Sequence, residues 1–567
     1  MDNYQIADNF SLLAKLMDIH GENSFKAKSY SIAAFNIEKL PDQLSELPKE
    51  KIFQLQGIGD AIGKKILELL ETGRIQNLEN LLEKTPPGIL EMMKIKGIGP
   101  KKISIIWKEM GIESIGELLY ACHENRLLLF KGFGAKTQNN VAQSIEFFQK
   151  QLGNYLYAQV ELIAKELSRF FEKLFNTSQV CISGDFVRQE ETISELSFIV
   201  ASSLQNIVAK INTLEDFELI ETDVHSVLLK YDGGIKVRLT ATDDDHFAET
   251  YFYNSGTSEF NDAFRAAFPL DPGKSMDEES IFKKASIQYI EPCLRYSPEV
   301  IEKARKSEIP KLIQPADIKA IIHSHSNWSD GANTIEEMSR ACISGGFEYL
   351  VISDHSKAAF YANGLKEEQL VAQHTLVDEL NSQFIKEANG KRAFRIFKSI
   401  ESDILNDGSL DYSEDVLSTF DLVIASVHSN LKMNEEKAMK RILKAIENPY
   451  TTILGHMTGR LLLSRNGYPL DHKKVIDACA ANHVVIELNA HPRRLDMRWQ
   501  WLPYALDKGV LICIDPDAHS TEEFHNTRYG VLAAQKGMLT KECNLSSFSL
   551  DEFESYLKRI KVVKGIL

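Results

Sequence analysis

The sequence contains no apolar run approaching the roughly 18 residues that a bilayer-spanning helix requires. Its opening stretch, MDNYQIADNF, has no basic segment leading into an apolar one. Both absences favour a chain that stays in the cytosol and has no membrane partner. Cysteine is scarce: seven are scattered (Cys122, Cys181, Cys293, Cys342, Cys479, Cys513, Cys543), with no CxxC spacing. An odd, dispersed set argues for reduced thiols and against a disulfide frame or a zinc ribbon. Positive charge is also short, with 65 Lys and Arg against 80 Asp and Glu, a net charge of −15. That sum looks hostile to nucleic acid, but residues 1–150 hold 19 basic and 19 acidic side chains, so the excess lies entirely downstream.

What the chain does have is length and a globular composition. At 567 residues, 44% apolar and 26% charged, it exceeds one ordinary core and predicts roughly three to five domains. Near the start, LQGIGDAIGKKI (55–66), IKGIGPKKISII (95–106) and FKGFGAKTQNNV (130–141) share one form: a hydrophobe between two glycines, then a helical stretch carrying lysines. Glycine permits the tight turn, and the following helix N-terminus offers unpaired N–H groups to a phosphate. This is the pattern of a helix-hairpin-helix element, which holds the DNA backbone without reading its sequence. The candidate contacts are Gly57, Gly59, Lys64 and Lys65, then Gly97, Gly99, Lys101 and Lys102, then Gly132, Gly134 and Lys136. The preceding FSLLAKLMDIHGENSFKAKSYSIAAFNIEKLP reads as two amphipathic helices. It resembles the small N-terminal domain of family X DNA polymerases. By that resemblance Lys65 matches the Schiff-base lysine of a deoxyribose-phosphate lyase; a solvated or phosphate-binding lysine is the other reading.

From about residue 151 the pattern changes to a long helix, the strand QVCISGDF, the strand-forming EETISELSFIV, a helix near 203–213, and the hairpin SVLLKYDGGIKVRLTAT turning at Gly233 and Gly234. This order resembles the palm of family X polymerases, and YNSGTSEFN (253–261) resembles their nucleotide-pocket turn. Carried over position by position, the three catalytic aspartates fall on Glu195, Ser197 and Arg238. Two magnesium ions need anionic oxygens, which a serine and an arginine do not supply. The triphosphate turn is altered as well, to Gly184, Asp185, Val187 and Arg188. The resemblance therefore implies a palm kept for its shape, without magnesium. The run Asp243, Asp244, Asp245 reads as a solvated loop.

Eleven of the fifteen histidines lie after residue 317. IIHSHSNWSDG offers His323, His325 and Asp330; YLVISDHS offers His355; RIFKSIESDIL offers Glu401; DLVIASVHS offers His428; TTILGHMTGR offers His456; VLICIDPDAHS offers Asp517 and His519. An apolar run precedes nearly every one, with helical stretches between, as in a β/α barrel whose active residues sit at the C-terminal ends of parallel strands. His323 and His325 are expected on one face of a strand end. Imidazoles mixed with carboxylates suit zinc, manganese or iron. The order resembles the PHP (polymerase and histidinol phosphatase) family, with all nine ligand positions filled. By that resemblance three divalent ions are held: one by His323, His325, Glu401 and Asp517, a second by Glu401, His428 and His456, a third by Asp330, His355 and His519. Glu401, His323, Asp517 and Arg460 form the implied catalytic set. Arg460, Arg493 and Arg494 are candidates to hold phosphate oxygens or to form salt bridges.

Over nearly its whole length the chain resembles a bacterial family X DNA polymerase with a C-terminal PHP domain. The resemblance implies a multidomain protein. Helical helix-hairpin-helix domains at 1–75 and 76–150 precede an α+β nucleotidyltransferase-like palm at 151–250, a shortened thumb and linker at 251–317, and a distorted β/α barrel at 318–567. The leading functional expectation is a DNA-repair nuclease acting on gapped, nicked or 3′-ended DNA, either as a 3′-5′ exonuclease or at abasic sites. It is expected to be a cytosolic, nucleoid-associated monomer with other base-excision repair proteins as partners. A gap-filling polymerase, a phosphomonoesterase of histidinol-phosphatase type and a non-catalytic DNA scaffold are the alternatives.

Overall fold

The computed structural model describes residues 1–40, 42–55, 58–95, 97–150, 153–232, 234–269, 277–390 and 392–567; Gly57 and Gly233 fall outside them. The chain forms two compact units, Met1–His123 with Leu127–Phe148, and Glu124–Arg126 with Gln149–Leu567. Among the described residues no helix is long and apolar enough to cross a membrane.

The first unit is helical, and its local rules are visible at its start. Asp2 closes a capping box with Gln5, Ile6, Phe10, Leu13 and Met17 form a buried stripe at helical spacing, and Gly21 ends the helix Asn3–His20 with φ 73°. The helix Ser24–Glu38 packs against it through Ala27, Tyr30, Ala33 and Ile37.

The second unit carries all the strands of the described chain. Two short ones, β1 (Tyr155–Leu156) and β3 (Thr192–Ile193), pair with each other. A five-stranded sheet is built from β2 (Val180–Ser183), β4 (Glu195–Ala201), β5 (Phe217–Thr222), β6 (Ser226–Tyr231) and β7 (Lys236–Thr242), in the order β2-β4-β7-β6-β5. The hairpin expected from the sequence is the antiparallel pair β6 and β7. Asp243 follows β7 and accepts from His246 N and Nδ1 at an exposed helix start.

Beyond it stands a seven-stranded parallel sheet: β8 (Ala320–Ile321), β9 (Tyr349–Ile352), β10 (Arg395–Asp403), β11 (Leu422–Ser426), β12 (Ile453–Leu454), β13 (Val485–Asn489) and β14 (Ile512–Asp515). Strand order follows chain order, with helices between most strands, which fits a nearly closed, distorted β/α barrel. A parallel bridge between Ser324 and Ala518 joins the two outer strands just past their C-terminal ends. Along each strand alternate residues divide between interior and exterior. Tyr349, Phe397, Leu422, Ile453, Val485 and Cys513 pack inward at the strand starts, against Phe553, Tyr556, Leu557 and Ile560 of the helix Leu550–Val563. Their neighbours Leu350, Ile396, Val423, Leu454, Ile486 and Ile512 face the surrounding helices instead.

The sheet β2–β7 and the barrel meet through buried charge. The Lys536 side chain is fully buried, its Nζ 3.0 Å from Glu190 and 4.8 Å from the ring centroids of both Tyr296 and Trp499. Gln189 donates to Gln535 at 3.0 Å beside it.

The barrel floor depends on one aromatic stack, with Phe553 4.6 Å from Tyr349 and 4.9 Å from Phe397. Phe553→Ala is expected to cost about 3–5 kcal/mol. In calorimetry the transition carrying the barrel should move down by several degrees. Val562→Ala, at an exposed position of the same helix, should leave that transition in place.

Candidate metal centre

Period-two alternation carries the chemistry to the barrel rim. On β10, Phe397 lines the floor and Ser399, Glu401 and Asp403 follow it on the same face. On β11 the inward series Leu422, Ile424, Ser426 leads to His428, and on β9 Tyr349, Val351, Ser353 leads to His355. His456, Asp517 and His519 follow β12 and β14. The first motif departs from this rule, because β8 ends at Ile321 and simple alternation would send His323 outward with it. A left-handed backbone at His323 (φ 57°) breaks the alternation. The two imidazoles therefore do not share a strand face; they lie in the loop that the bridge to Ala518 closes.

Glu401 is the hub. Its Oε1 lies 3.3 Å from His323 Nε2, 3.1 Å from His428 Nε2 and 3.0 Å from His456 Nε2. Its Oε2 lies 2.9 Å from His355 Nδ1 and 3.6 Å from His325 Nε2. Asp517 Oδ1 is 3.1 Å from His325 Nε2 and 3.4 Å from His323 Nε2. Asp330 lies 3.6 Å from His355 Nε2 and 3.5 Å from His519 Nε2. All nine expected ligands thus converge. Three ligand groupings stand out: His325, Asp330, His355 and His519; His323, His325 and Asp517; His355, Glu401 and His428. They cut across the sets implied by the family pattern, since His355 joins Glu401 and His428.

These residues fit metal ions better than they fit one another. His323 Nε2, both oxygens of Asp330, Glu401 Oε2, His355 Nδ1 and His519 Nε2 are buried without a hydrogen-bond partner, although opposing atoms lie close by. Buried polar atoms seldom go unpaired, and this mixture of nitrogen and oxygen donors suits borderline divalent ions. Burial alone would raise Glu401, but His428, His323 and His355 hold its carboxyl well below the usual range. At Asp330 burial is likewise outweighed by His355 and His519, and its carboxyl is strongly lowered. Burial, with the charges of His355 and His519, lowers His325 to about 3. Around neutrality these carboxylates are ionised and His325 is a neutral donor.

A second layer of carboxylates aims the ligands, and the motif reading of the sequence missed it. Glu487 accepts from His323 Nδ1 through one oxygen and from His456 N at 2.5 Å through the other. Asp403 holds His428 Nδ1 at 3.1 Å. Asp354 accepts from Ser326 N and Oγ, each at 2.7 Å, from Ser329 Oγ at 2.5 Å and from Gln373 Nε2 at 2.7 Å, fixing the loop that leads to Asp330. Alternation could have found Glu487, since Val485, Glu487 and Asn489 lie on one strand face.

The arginines are placed differently. Arg494 Nε is 3.7 Å from Asp517. Arg460, expected among the catalytic residues, is almost fully buried and its guanidinium is committed to Glu191 Oε1 at 2.6 Å and to the Leu495 carbonyl.

In the five-stranded sheet Arg238 grips Glu195 through two bonds, Nε to Oε1 at 2.7 Å and Nη2 to Oε2 at 3.1 Å, and Ser197 donates to the same carboxylate at 3.1 Å. Asp185 pairs with Arg188 in the segment after β2.

In the first unit Gly59 and Gly99 are the N-caps of the helices Asp60–Thr72 and Pro100–Lys108, with no side-chain cap bond. Gly97 (φ 92°) and Gly132 (φ 97°) take backbone conformations that favour glycine. Gly134 precedes the helix Ala135–Lys150. Lys101 and Lys136 are exposed, and Lys102 lies over Phe133 at 5.7 Å. Lys64 pairs with Asp60 at 2.9 Å, and Lys65 lies 3.8 Å from Glu68.

Known proteins share these parts. The helix-hairpin-helix domain family matches residues 1–75, the SAM-like helix-hairpin-helix tandem family residues 89–145, and the PHP domain family residues 322–491. DNA polymerase/3'-5' exonuclease PolX of Bacillus subtilis (strain 168) is 32% identical over 96% of this chain and 98% of its own length. A probable phosphatase of Thermoanaerobacter sp. (strain X514) is 25% identical over 42% of this chain and 94% of its own length. DNA polymerase lambda of Rattus norvegicus is 21% identical over 49% of each chain.

Residues that orient metal-binding imidazoles commonly change metal affinity by about 10–100-fold when altered. Glu487→Gln is expected to weaken retention of divalent ions to that extent, measured as metal content after dialysis against graded chelator. Unchanged retention would mean that His323 is aimed without Glu487.

Proposed function

Since the chain belongs to the family of bacterial PolX-type DNA polymerase/3'-5' exonucleases, we propose that it is a DNA-repair nuclease: its barrel hydrolyses phosphodiesters, most directly at DNA 3′ ends, and its palm no longer polymerises. The observation that carries this reading is Glu401 buried among five imidazoles, with partnerless donor atoms on the surrounding ligands. Divalent ions bound there would supply Lewis acidity and a water of lowered pKa. The chain's own part is to hold them: Glu401 joins the ligand groups, Asp330 and Asp517 supply anionic oxygens at either side, and Glu487, Asp403 and Asp354 keep the donors aimed. Arg494, 3.7 Å from Asp517, is the arginine we assign to a phosphate oxygen.

The helix-hairpin-helix elements support a DNA substrate, with glycine-capped helix starts and exposed lysines to meet backbone phosphates. A palm that spends its cation on Glu195 is poorly suited to bind magnesium. Gap filling is then left to another repair protein, with this chain as a monomeric processor of ends. A small-molecule phosphatase is the competing reading, favoured by the PHP relative that carries the name probable phosphatase.

Glu401→Ala and His323→Ala should each lower 3′-end digestion in manganese by two or more orders of magnitude, about 3 kcal/mol or more in barrier, while retention of gapped DNA persists. Undiminished digestion in both variants would defeat the nuclease reading. Hydrolysis of phosphomonoesters with no attack on DNA would transfer the site to the phosphatase reading. On a one-nucleotide gap the wild-type chain should incorporate no nucleotide, and incorporation abolished by Glu195→Ala would show the palm to be active.

A further inference from the structure

The loop at residues 356–365 leaves the expected ligand His355 and comes back to it. At its start Ser356 N donates to Glu401 O at 3.0 Å, and Ser356 Oγ accepts from Asp403 N at 2.9 Å; at its end Leu365 N donates to His355 O at 2.9 Å. Both feet of the loop therefore stand on the candidate metal centre. Between them Ala359, Ala362 and Leu365 are fully buried, and Ala358 N donates to Asp411 Oδ2 at 2.6 Å. A Cβ on Gly364 would run into the Ser356 carbonyl, so the two limbs cross where only glycine fits. Asn363, at φ 55°, donates from Nδ2 to Trp328 O at 3.1 Å and ties the crown to the loop that carries Asp330.

The crown is the turn Phe360–Ala362, and it sends its two rings in different directions. Burial and the Asp403 carboxylate push the Tyr361 hydroxyl well up, which marks Tyr361 as the inner ring. Phe360, its ring centroid 5.9 Å away, is 79% exposed. A single exposed apolar side chain is common on proteins and by itself means nothing. This one is displayed by a loop fastened at both feet and at its crown, and those feet rest on Glu401 and His355. Residues 358–365 include no charged side chain, in a chain of net charge −15, so a polyanion that reaches the metal centre meets no carboxylate of this crown. On the loop to which Asn363 is tied, half-buried Trp328 stands two residues before Asp330, a further aromatic beside the ligands.

We propose that Phe360 is a substrate-positioning residue, whose exposed ring stacks on an unpaired base of the strand whose end is presented to the metal centre. Every base has a π-face, so an aromatic ring accepts any of the four. A base at an unpaired end has a face to offer, whereas a base inside a duplex must first be unstacked at a cost. The inference rests on the nuclease reading and deepens it, naming a single-stranded or frayed DNA end as the preferred substrate.

The test uses the full chain in manganese with 5′-labelled single strands, in which a base-free sugar replaces the base of the terminal, the second or the third nucleotide from the 3′ end. For wild type, kcat/KM should fall about tenfold when the base is missing at one of these positions. Phe360→Ala should digest the intact strand about tenfold more slowly than wild type and lose that sensitivity to the missing base, with bound metal unchanged. Phe360→Trp should keep both the rate and the sensitivity. On a fully paired end the difference between wild type and Phe360→Ala should shrink. Wild-type digestion that ignores the missing base at all three positions, or a Phe360→Ala chain that keeps the wild-type rate or the full sensitivity, would overturn the stacking role and leave the nuclease reading standing. Loss of bound metal in Phe360→Ala would also overturn it, because the ring would then be holding the loop. A wild-type chain that hydrolyses phosphomonoesters and spares DNA would remove both readings.

Discussion

A carboxylate taken out of water is tolerated only where cations or hydrogen-bond donors replace its hydration. Glu401 is almost completely buried, and five imidazoles surround it. Everything else in the barrel serves that arrangement. Each imidazole comes from a different loop or strand end apart from His323 and His325, so removing the order of any one strand would leave the charge without part of its surroundings. The same arrangement leaves donor atoms facing one another without hydrogen bonds, a configuration that suits ions placed between them.

Two features of the barrel make this possible. The interior changes from apolar to polar along each strand, as in Phe397, Ser399, Glu401 and Asp403, so the polar rim rests on a dry floor sealed by the helix Leu550–Val563. The parallel bridge from Ser324 to Ala518 joins the outer strands. Without that closure the HxH and DxH motifs would lie at opposite edges of an open sheet, since β8 and β14 are its terminal strands.

The five-stranded sheet answers its half-buried charges internally. Glu195 and Arg238 neutralise each other on neighbouring strands, in register with Ser197. The segment between β2 and β3 reaches the barrel, with Glu190 on Lys536 and Glu191 on Arg460. Lys536 is fully buried, so without Glu190 it would be a costly unpaired charge. The segment between β2 and β3 thus braces the loop after His456.

How much of this could be read in advance depended on how local the signal was. The glycine-rich hairpins, the helix starts at Pro100 and Asp60, the hairpin of β6 and β7 and the alternation of apolar runs with polar strand ends are all short-range patterns, and the sequence determined them. The nine converging side chains were also legible, because each sits in a short motif at a strand end. Tertiary structure alone decided the rest. The turn of His323 inward depends on a positive φ that no residue type announces. The grouping of His355 with Glu401 and His428, and the use of Glu487 to aim His323 from 164 positions away, depend on which strands become neighbours. Arg460 looked like a phosphate ligand because its motif shows only what lies beside it in the chain. The carboxylate that claims it, Glu191, is 269 residues away, and only the folded chain brings two such distant charges within hydrogen-bond reach.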